Sequence, residues 1–228
     1  MTSDLKFVDA AFYYEDLDHQ NKAWNYLQSN VDSKVLREFT DLYRSETRTQ
    51  EADVELLSKA DLAYIWNCAE SLIGEHEIYE MNQCLHRFDI TTTSRMRHFL
   101  SQTAHESGGG KWKEELSDGL YLRGRADLGH GMHEGEVWKG AGYIQLTGKY
   151  NYQRFADWMG DPDIMKGSSY VAVTWPFTSA GFWWMDNKMN DLCDTNPSVY
   201  TVTLRVNGGT NGLSDREYYY DRCTKVIP

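Results

Sequence analysis

Two glutamates, Glu106 and Glu115, stand nine residues apart with Gly108-Gly109-Gly110 between them. Paired carboxyls are what hydrolysis of a glycosidic bond requires: one gives a proton to the leaving oxygen and the other acts on water or on the sugar. In an unbroken helix nine residues would hold the two about 13 Å apart, at about 1.5 Å per residue. A glycine break lets the chain double back and face them across a gap. Taken alone the pair says little, because charges at such intervals are common on solvated helices, and Glu114 offers a second candidate beside Glu115.

The element that must present Glu106 is a helix. In RMRHFLSQTAHE, residues 95–106, Met96, Phe99, Leu100, Thr103 and Ala104 fall on one apolar stripe of helical period. Thr91, Thr92, Thr93 and Ser94 supply N-caps, and the glycines supply a stop, since glycine takes the left-handed turn that ends helices. Glu106 is thereby predicted on the last turn of a buried helix, at its partial-negative end, where a carboxyl is inclined to keep a proton. Further on, KGAGYIQLTGKYNY spans residues 139–152, and its Gln145 and Thr147 alternate with Ile144 and Leu146. As a short extended segment this would turn both polar groups to one side. Tyr150 and Tyr152 also suit a core, Asn151 a turn or cap, and Asn207, which precedes Gly208-Gly209, a tight turn needing positive φ.

Three runs in order carry a resemblance: His105-Glu106-Ser107-Gly108-Gly109; Gly140 to Gly148, GAGYIQLTG, followed by Tyr150-Asn151-Tyr152; and Val206-Asn207-Gly208-Gly209. They resemble the successive signatures of glycoside hydrolase family 19, which holds chitinases and the lysozyme-like endolysins of bacteriophages. The resemblance covers roughly residues 58–228. It implies that Glu106 is the general acid and Glu115, at the spacing of the phage lysozyme branch, the general base of an inverting reaction. It further implies that the Thr147 hydroxyl helps hold the catalytic water and that Gln145, Tyr150 and Asn151 line the sugar cleft. Asn207 would contact substrate or that water, and Arg216 would stand near the second carboxylate and keep it ionised, or form a structural ion pair. One departure is Ala141, where the family often has arginine; Arg123 and Arg125, in YLRGRADLG, are the candidates to replace it in space. That loop resembles the phage lysozyme branch more than the plant chitinases.

Composition excludes several classes. The net charge of −11 and the lack of a basic cluster argue against nucleic acid, whose binding draws on Lys and Arg neutralising phosphates. No stretch approaches the roughly 18 apolar residues of a membrane span, and MTSDLKFVDAAFYYEDLDHQ lacks a charged-then-apolar signal pattern. The expected product is therefore not membrane-inserted; it would accumulate in host cytoplasm and reach the wall through a membrane lesion, or be carried in a virion. Cys68, Cys84, Cys193 and Cys223 lack metal-type spacing and read as buried thiols, with a Cys193 to Cys223 bond open for a protein working outside a cell. His105 lacks the second histidine of a zinc-protease pattern, and His130 and His133 read as solvated loop residues, so neither a metal nor another cofactor is expected.

The chain is expected to be mainly α: a small helical accessory unit at 1–52, then a lysozyme-like helical catalytic domain at 53–228. Within the first unit, Ala23 to Tyr43 reads as two short amphipathic helices before the polar stretch SETRTQEAD, suited to packing or to docking on other phage proteins. In the second, helices are expected from Lys59 to Ile73, Glu77 to Phe88, up to Glu106, Tyr152 to Met159, Thr178 to Met189 and Ser214 to Val226, with long loops between Gly108 and Gly142. The function expected is a peptidoglycan hydrolase, endolysin or virion-associated lysozyme, cleaving β-1,4 bonds between N-acetylmuramic acid and N-acetylglucosamine. The alternatives are a chitinase acting on N-acetylglucosamine polymers and a phage-particle structural or binding protein that keeps the fold without activity.

Overall fold

The structure is a computed structural model that describes residues 30–32, 35 and 55–228. The chain divides into two units, Met1–Asp53 and Val54–Pro228, and the two helices expected within 1–52 lie, apart from residues 30–32 and 35, outside the described residues. The second unit is mainly helical, as expected: α1 Lys59–Trp66, α2 Glu75–Arg87, α3 Thr93–Glu106, α4 Lys149–Met159, α5 Ser168–Thr174, α6 Pro176–Asp186, α7 Met189–Cys193, α8 Val199–Asn207 and α9 Leu213–Val226. Among the described residues the only extended pairings are two isolated bridges, Glu114 with Ala141 and Ala141 with Leu146. No helix among them is long and apolar enough to cross a membrane, and all four cysteines are free thiols.

The central element is α3, capped by the Thr92 hydroxyl accepting from the Arg95 N–H. It is more deeply enclosed than a single stripe implies, since every residue from His98 to Ala104 is buried. Its hydroxyls are satisfied within the helix: that of Ser101 donates to the His98 carbonyl at 2.9 Å and that of Thr103 to the Phe99 carbonyl at 3.0 Å.

Two boundaries differ from expectation for identifiable reasons. The first helix ends at Trp66 rather than running to Ile73, because Asn67 adopts the left-handed conformation (φ 54°) and closes it. Leu72 then falls in a separate 3₁₀ turn, exposed. The run expected from Thr178 to Met189 is split, α6 stopping at Asp186 and α7 beginning after left-handed Lys188. Helices α5 and α8 were unexpected; their sequences, SSYVAVT and VYTVTLRVN, are rich in β-branched residues whose intrinsic helix preference is low, so tertiary packing decides them.

Two buried glutamates on α2 tie the later chain to this core. Glu77 accepts from the Tyr143 hydroxyl and pairs with Lys113 Nζ at 2.7 Å, holding the segments on either side of Glu115. Glu80 accepts from the backbone N–H groups of Phe177 and Thr178 at 2.6 and 2.5 Å, capping α6 from outside its own sequence. Burial outweighs these bonds and pushes the Glu80 carboxyl from the ordinary carboxylate range up to about 7. Because the folded chain holds this proton where the unfolded chain has released it, the contribution of Glu80 to stability is full below the ordinary range and is lost as pH rises through about 7. The stability difference between wild type and Glu80→Gln, from urea denaturation at a series of pH values, should move against wild type across that window. A difference independent of pH would contradict the assignment.

Candidate active site

Glu106 is the last residue of α3, and the chain reverses immediately beyond it. Ser107 closes the helix, its hydroxyl donating to the Thr103 carbonyl at 2.7 Å and accepting from the Gly110 N–H at 2.9 Å. Gly108, Gly109 and Gly110 are all left-handed, at φ 60°, 72° and 80°. At Gly110 a Cβ would also stand 2.4 Å from the Trp66 ring, so the turn needs glycine for space as well as for conformation. The returning chain pairs Glu115 with Gly140: Glu115 N–H donates to the Gly140 carbonyl at 2.9 Å, and Gly140 N–H donates to Glu115 Oε2 at 3.0 Å. Glu115 Oε1 accepts from the Tyr121 hydroxyl at 2.8 Å.

A cleft of about 310 Å³ opens at the tip of α3. Its lining includes Glu106, Gln145 and Thr147 from the 140–148 hairpin, Asn151 of α4, Trp183 of α6 and Asn207 at the end of α8. Four of the six expected substrate residues, Gln145, Thr147, Asn151 and Asn207, are thus gathered beside Glu106. Glu115 stands behind this wall: Gly140, which holds its Oε2, packs so closely on the cleft residues that a Cβ there would be 2.6 Å from Gln145 Oε1 and 3.3 Å from Thr147 Oγ1.

The 140–148 segment is not extended. Ala141 and Leu146 exchange both backbone bonds, at 3.1 and 2.8 Å, and the four residues between them reverse the chain with Gly142 and Gln145 in left-handed conformations. The expected alternation is replaced by a tight turn that presents Ile144 and Leu146 to the cleft as well as Gln145 and Thr147. Within it the Thr147 hydroxyl donates to the Gln145 carbonyl at 2.9 Å, and Asn151 Nδ2 donates to the Thr147 carbonyl at 2.7 Å. Asn207 ends a helix, and the left-handed residue is its successor Gly208, at φ 75°.

Other expected residues fall elsewhere. Tyr150 does not line the cleft; it is exposed, its ring lying over Gly129. Arg216 stands not at Glu115 but beneath Glu106, fully buried, donating to Glu106 Oε1 and to Gln102 Oε1, each at 2.5 Å. The cation expected at the second carboxylate is an ion-pair partner of the first. Arg123 and Arg125 do not substitute for an arginine at position 141: Arg123 pairs with Glu136, and Arg125 with Asp127 at 2.6 Å. Glu114 is tied by the Ser168 hydroxyl at 2.7 Å, by the Ser169 hydroxyl and by Lys139. Burial raises its carboxyl, but these donors together outweigh burial and hold it below its ordinary range. His105 bonds Asp215 at 2.7 Å, and buried His130 bonds the Leu122 carbonyl through Nδ1 and the Lys149 N–H through Nε2, which accounts for both ring nitrogens.

Trp183 and Tyr121 were missed as site residues. Trp183 sits in an apolar helical run that reads as core, and nothing in the sequence separates it from Trp184 beside it. Tyr121 lies six residues past Glu115, in the loop that carries the phage-branch resemblance, and that proximity was the available signal.

No protein-family model matches the chain. Its sequence is 39% identical over 95 residues to a glycosyl hydrolase family 19 domain-containing protein of Haemophilus influenzae, a stretch covering 39% of this chain and 44% of that protein. It is 32% identical over 139 residues to an endochitinase of Arabidopsis thaliana, covering 56% and 46%. Among solved structures, chitinase C from Streptomyces griseus shares the fold, with a TM-score of 0.60 at 16% identity over 76% of this chain and 77% of that one. The sequence relatives and fold neighbours of this chain are chitinase-like proteins of glycosyl hydrolase family 19. The chain spans about half the length of the curated relatives it matches.

The buried Arg216 pair yields a stability prediction. Arg216→Met leaves Glu106 and Gln102 without their donor and should lower the unfolding free energy by on the order of 3 kcal/mol. Arg216→Lys should restore only part of this, since one ammonium cannot reach both acceptors as the guanidinium fork does. Urea denaturation of the three proteins checks the order; a neutral Arg216→Met would contradict it.

Proposed function

We propose that the second unit is a glycoside hydrolase cleaving β-1,4 bonds of an N-acetylhexosamine polymer, with Glu106 as proton donor and Glu115 as general base. The observation that supports this most is the gathering of Glu106, Gln145, Thr147, Asn151 and Asn207 around one cleft, with Glu115 held against its wall through Gly140. In the proposed reaction Glu106, its Oε1 accepting from Arg216, takes up a proton on Oε2 from solvent and gives it to the glycosidic oxygen as the bond to the anomeric carbon breaks. A water attacks that carbon from the opposite face and loses its proton to Glu115, so the anomeric configuration inverts. The Thr147 hydroxyl donates to the Gln145 carbonyl, which leaves its oxygen as an acceptor able to orient such a water.

The polymer proposed is peptidoglycan, cleaved between N-acetylmuramic acid and N-acetylglucosamine as an endolysin or virion-associated lysozyme does. The support is the loop YLRGRADLG, residues 121–129, which resembles the phage lysozyme branch. Chitin is the second reading, favoured by the chitinase relatives. Clearing of a peptidoglycan suspension, set against cleavage of soluble chitin oligomers, separates the two. On the polymer that is cleaved, Glu106→Gln and Glu115→Gln should each lower kcat by about 100-fold or more with the fold intact by circular dichroism. Full activity of Glu106→Gln would sink the assignment of the acid.

A further inference from the structure

Tyr121 is exposed, yet the turn that carries it is built with care. It follows Gly119 (φ 78°), where a Cβ would stand 2.7 Å from the Gly135 carbonyl oxygen, so the two loop strands touch backbone to backbone. The next residue, Leu122, is buried, and its carbonyl accepts from Nδ1 of buried His130 at 2.8 Å. The other ring nitrogen of His130 accepts from the N–H of Lys149, the first residue of α4, at 3.2 Å. The imidazole is therefore a strut between the helix that brings Asn151 to the cleft and the turn that brings the Tyr121 hydroxyl to Glu115. At the far end, Glu115 is held at its backbone by Gly140 and Lys139 and at Oε2 by Gly140 again, which leaves rotation of the carboxylate about its last bond as the freedom still to be fixed.

We propose that Tyr121 is a positioning residue for the general base: its hydroxyl, donating to Oε1, fixes the plane of the Glu115 carboxylate so that a lone pair faces the attacking water. This rests on the reading of Glu115 given above. The bond requires the phenol form. Burial, then the bond to Glu115 and its charge, push the Tyr121 phenol up to about 12, against a small opposing pull from Arg125. The hydroxyl is thus a donor throughout the neutral range. The role differs from that of an aromatic ring on which a sugar stacks, because it resides in one oxygen that Tyr121→Phe removes while the ring stays.

The test uses the full chain, with peptidoglycan and soluble chitin oligomers as substrates. Tyr121→Phe should lower kcat about tenfold, the worth of one lost hydrogen bond, with KM within about twofold of wild type. In a Glu115→Gln background the same change should have no further effect. An unchanged kcat, with or without a rise in KM, would show that the hydroxyl does not position the base and would overturn the proposal. A second measurement needs no turnover: with tyrosines labelled at Cζ and the Tyr121 signal identified by its loss in Tyr121→Phe, the signal should stay at its phenol position from pH 9 to 11 in wild type. In Glu115→Gln, which keeps the burial and loses the charge, its titration should begin at lower pH than in wild type. The same titration in both proteins would show that the contact is absent and overturn the proposal, whereas inactivity of wild type on both polymers would remove the hydrolase reading and leave this readout to decide the contact.

Discussion

A guanidinium with no access to solvent ties this fold to its site. Arg216 projects from α9 onto α3 and donates to Gln102 and Glu106, residues one helical turn apart on the same face, while its neighbour Asp215 bonds His105 alongside. A buried cation must be paired or it is expelled, so α9 has one acceptable register against α3. That register sets where the carboxyl at the tip of α3 stands. Depth of burial along α3 and the position of its last residue at the cleft are therefore parts of one constraint.

The second carboxylate is reached by different means. Three left-handed glycines turn the chain, with Gly110 against the Trp66 ring, and the returning segment is pinned by Lys113 to Glu77 and by Glu114 to Ser168 before Glu115 meets Gly140. The 140–148 hairpin is anchored to the same Glu77 through Tyr143. Both acidic neighbours of the site on this loop are thus distinguished by what they touch: Glu114 is consumed by structural donors, and Glu115 lies against the residue that packs on Gln145 and Thr147. A side chain at position 140 would press on Gln145 and Thr147, whose side chains close in on its Cα while its N–H holds Glu115.

Local signals were legible in the sequence. The apolar spacing and threonine cap of α3, the glycine stop, and each run that resembles family 19 concern residues close to one another in the chain, and the structure gathers four of the residues singled out in those runs into one cleft with Glu106. What was not legible depends on distant partners. The Arg216 pair joins residues 110 positions apart, and placing the arginine at Glu115 failed because sequence order does not say which turn of a helix an arginine will reach. The hairpin read as extended because apolar and polar residues alternate there, although its two-bond closure forces Gln145 into a left-handed conformation. Helix α8, which delivers Asn207, is built of β-branched residues that local preference assigns elsewhere.

These contacts hold two carboxyls by independent routes, Glu106 by the buried Arg216 at the tip of α3 and Glu115 by the loop that pairs it with Gly140. Such a pair working through a water, rather than through a covalent sugar intermediate, inverts the anomeric carbon. Proton NMR of the first product released from the cleaved polymer, recorded before mutarotation, tests this most directly. The account predicts the α-anomer first from a β-linked substrate; the β-anomer appearing first would contradict it.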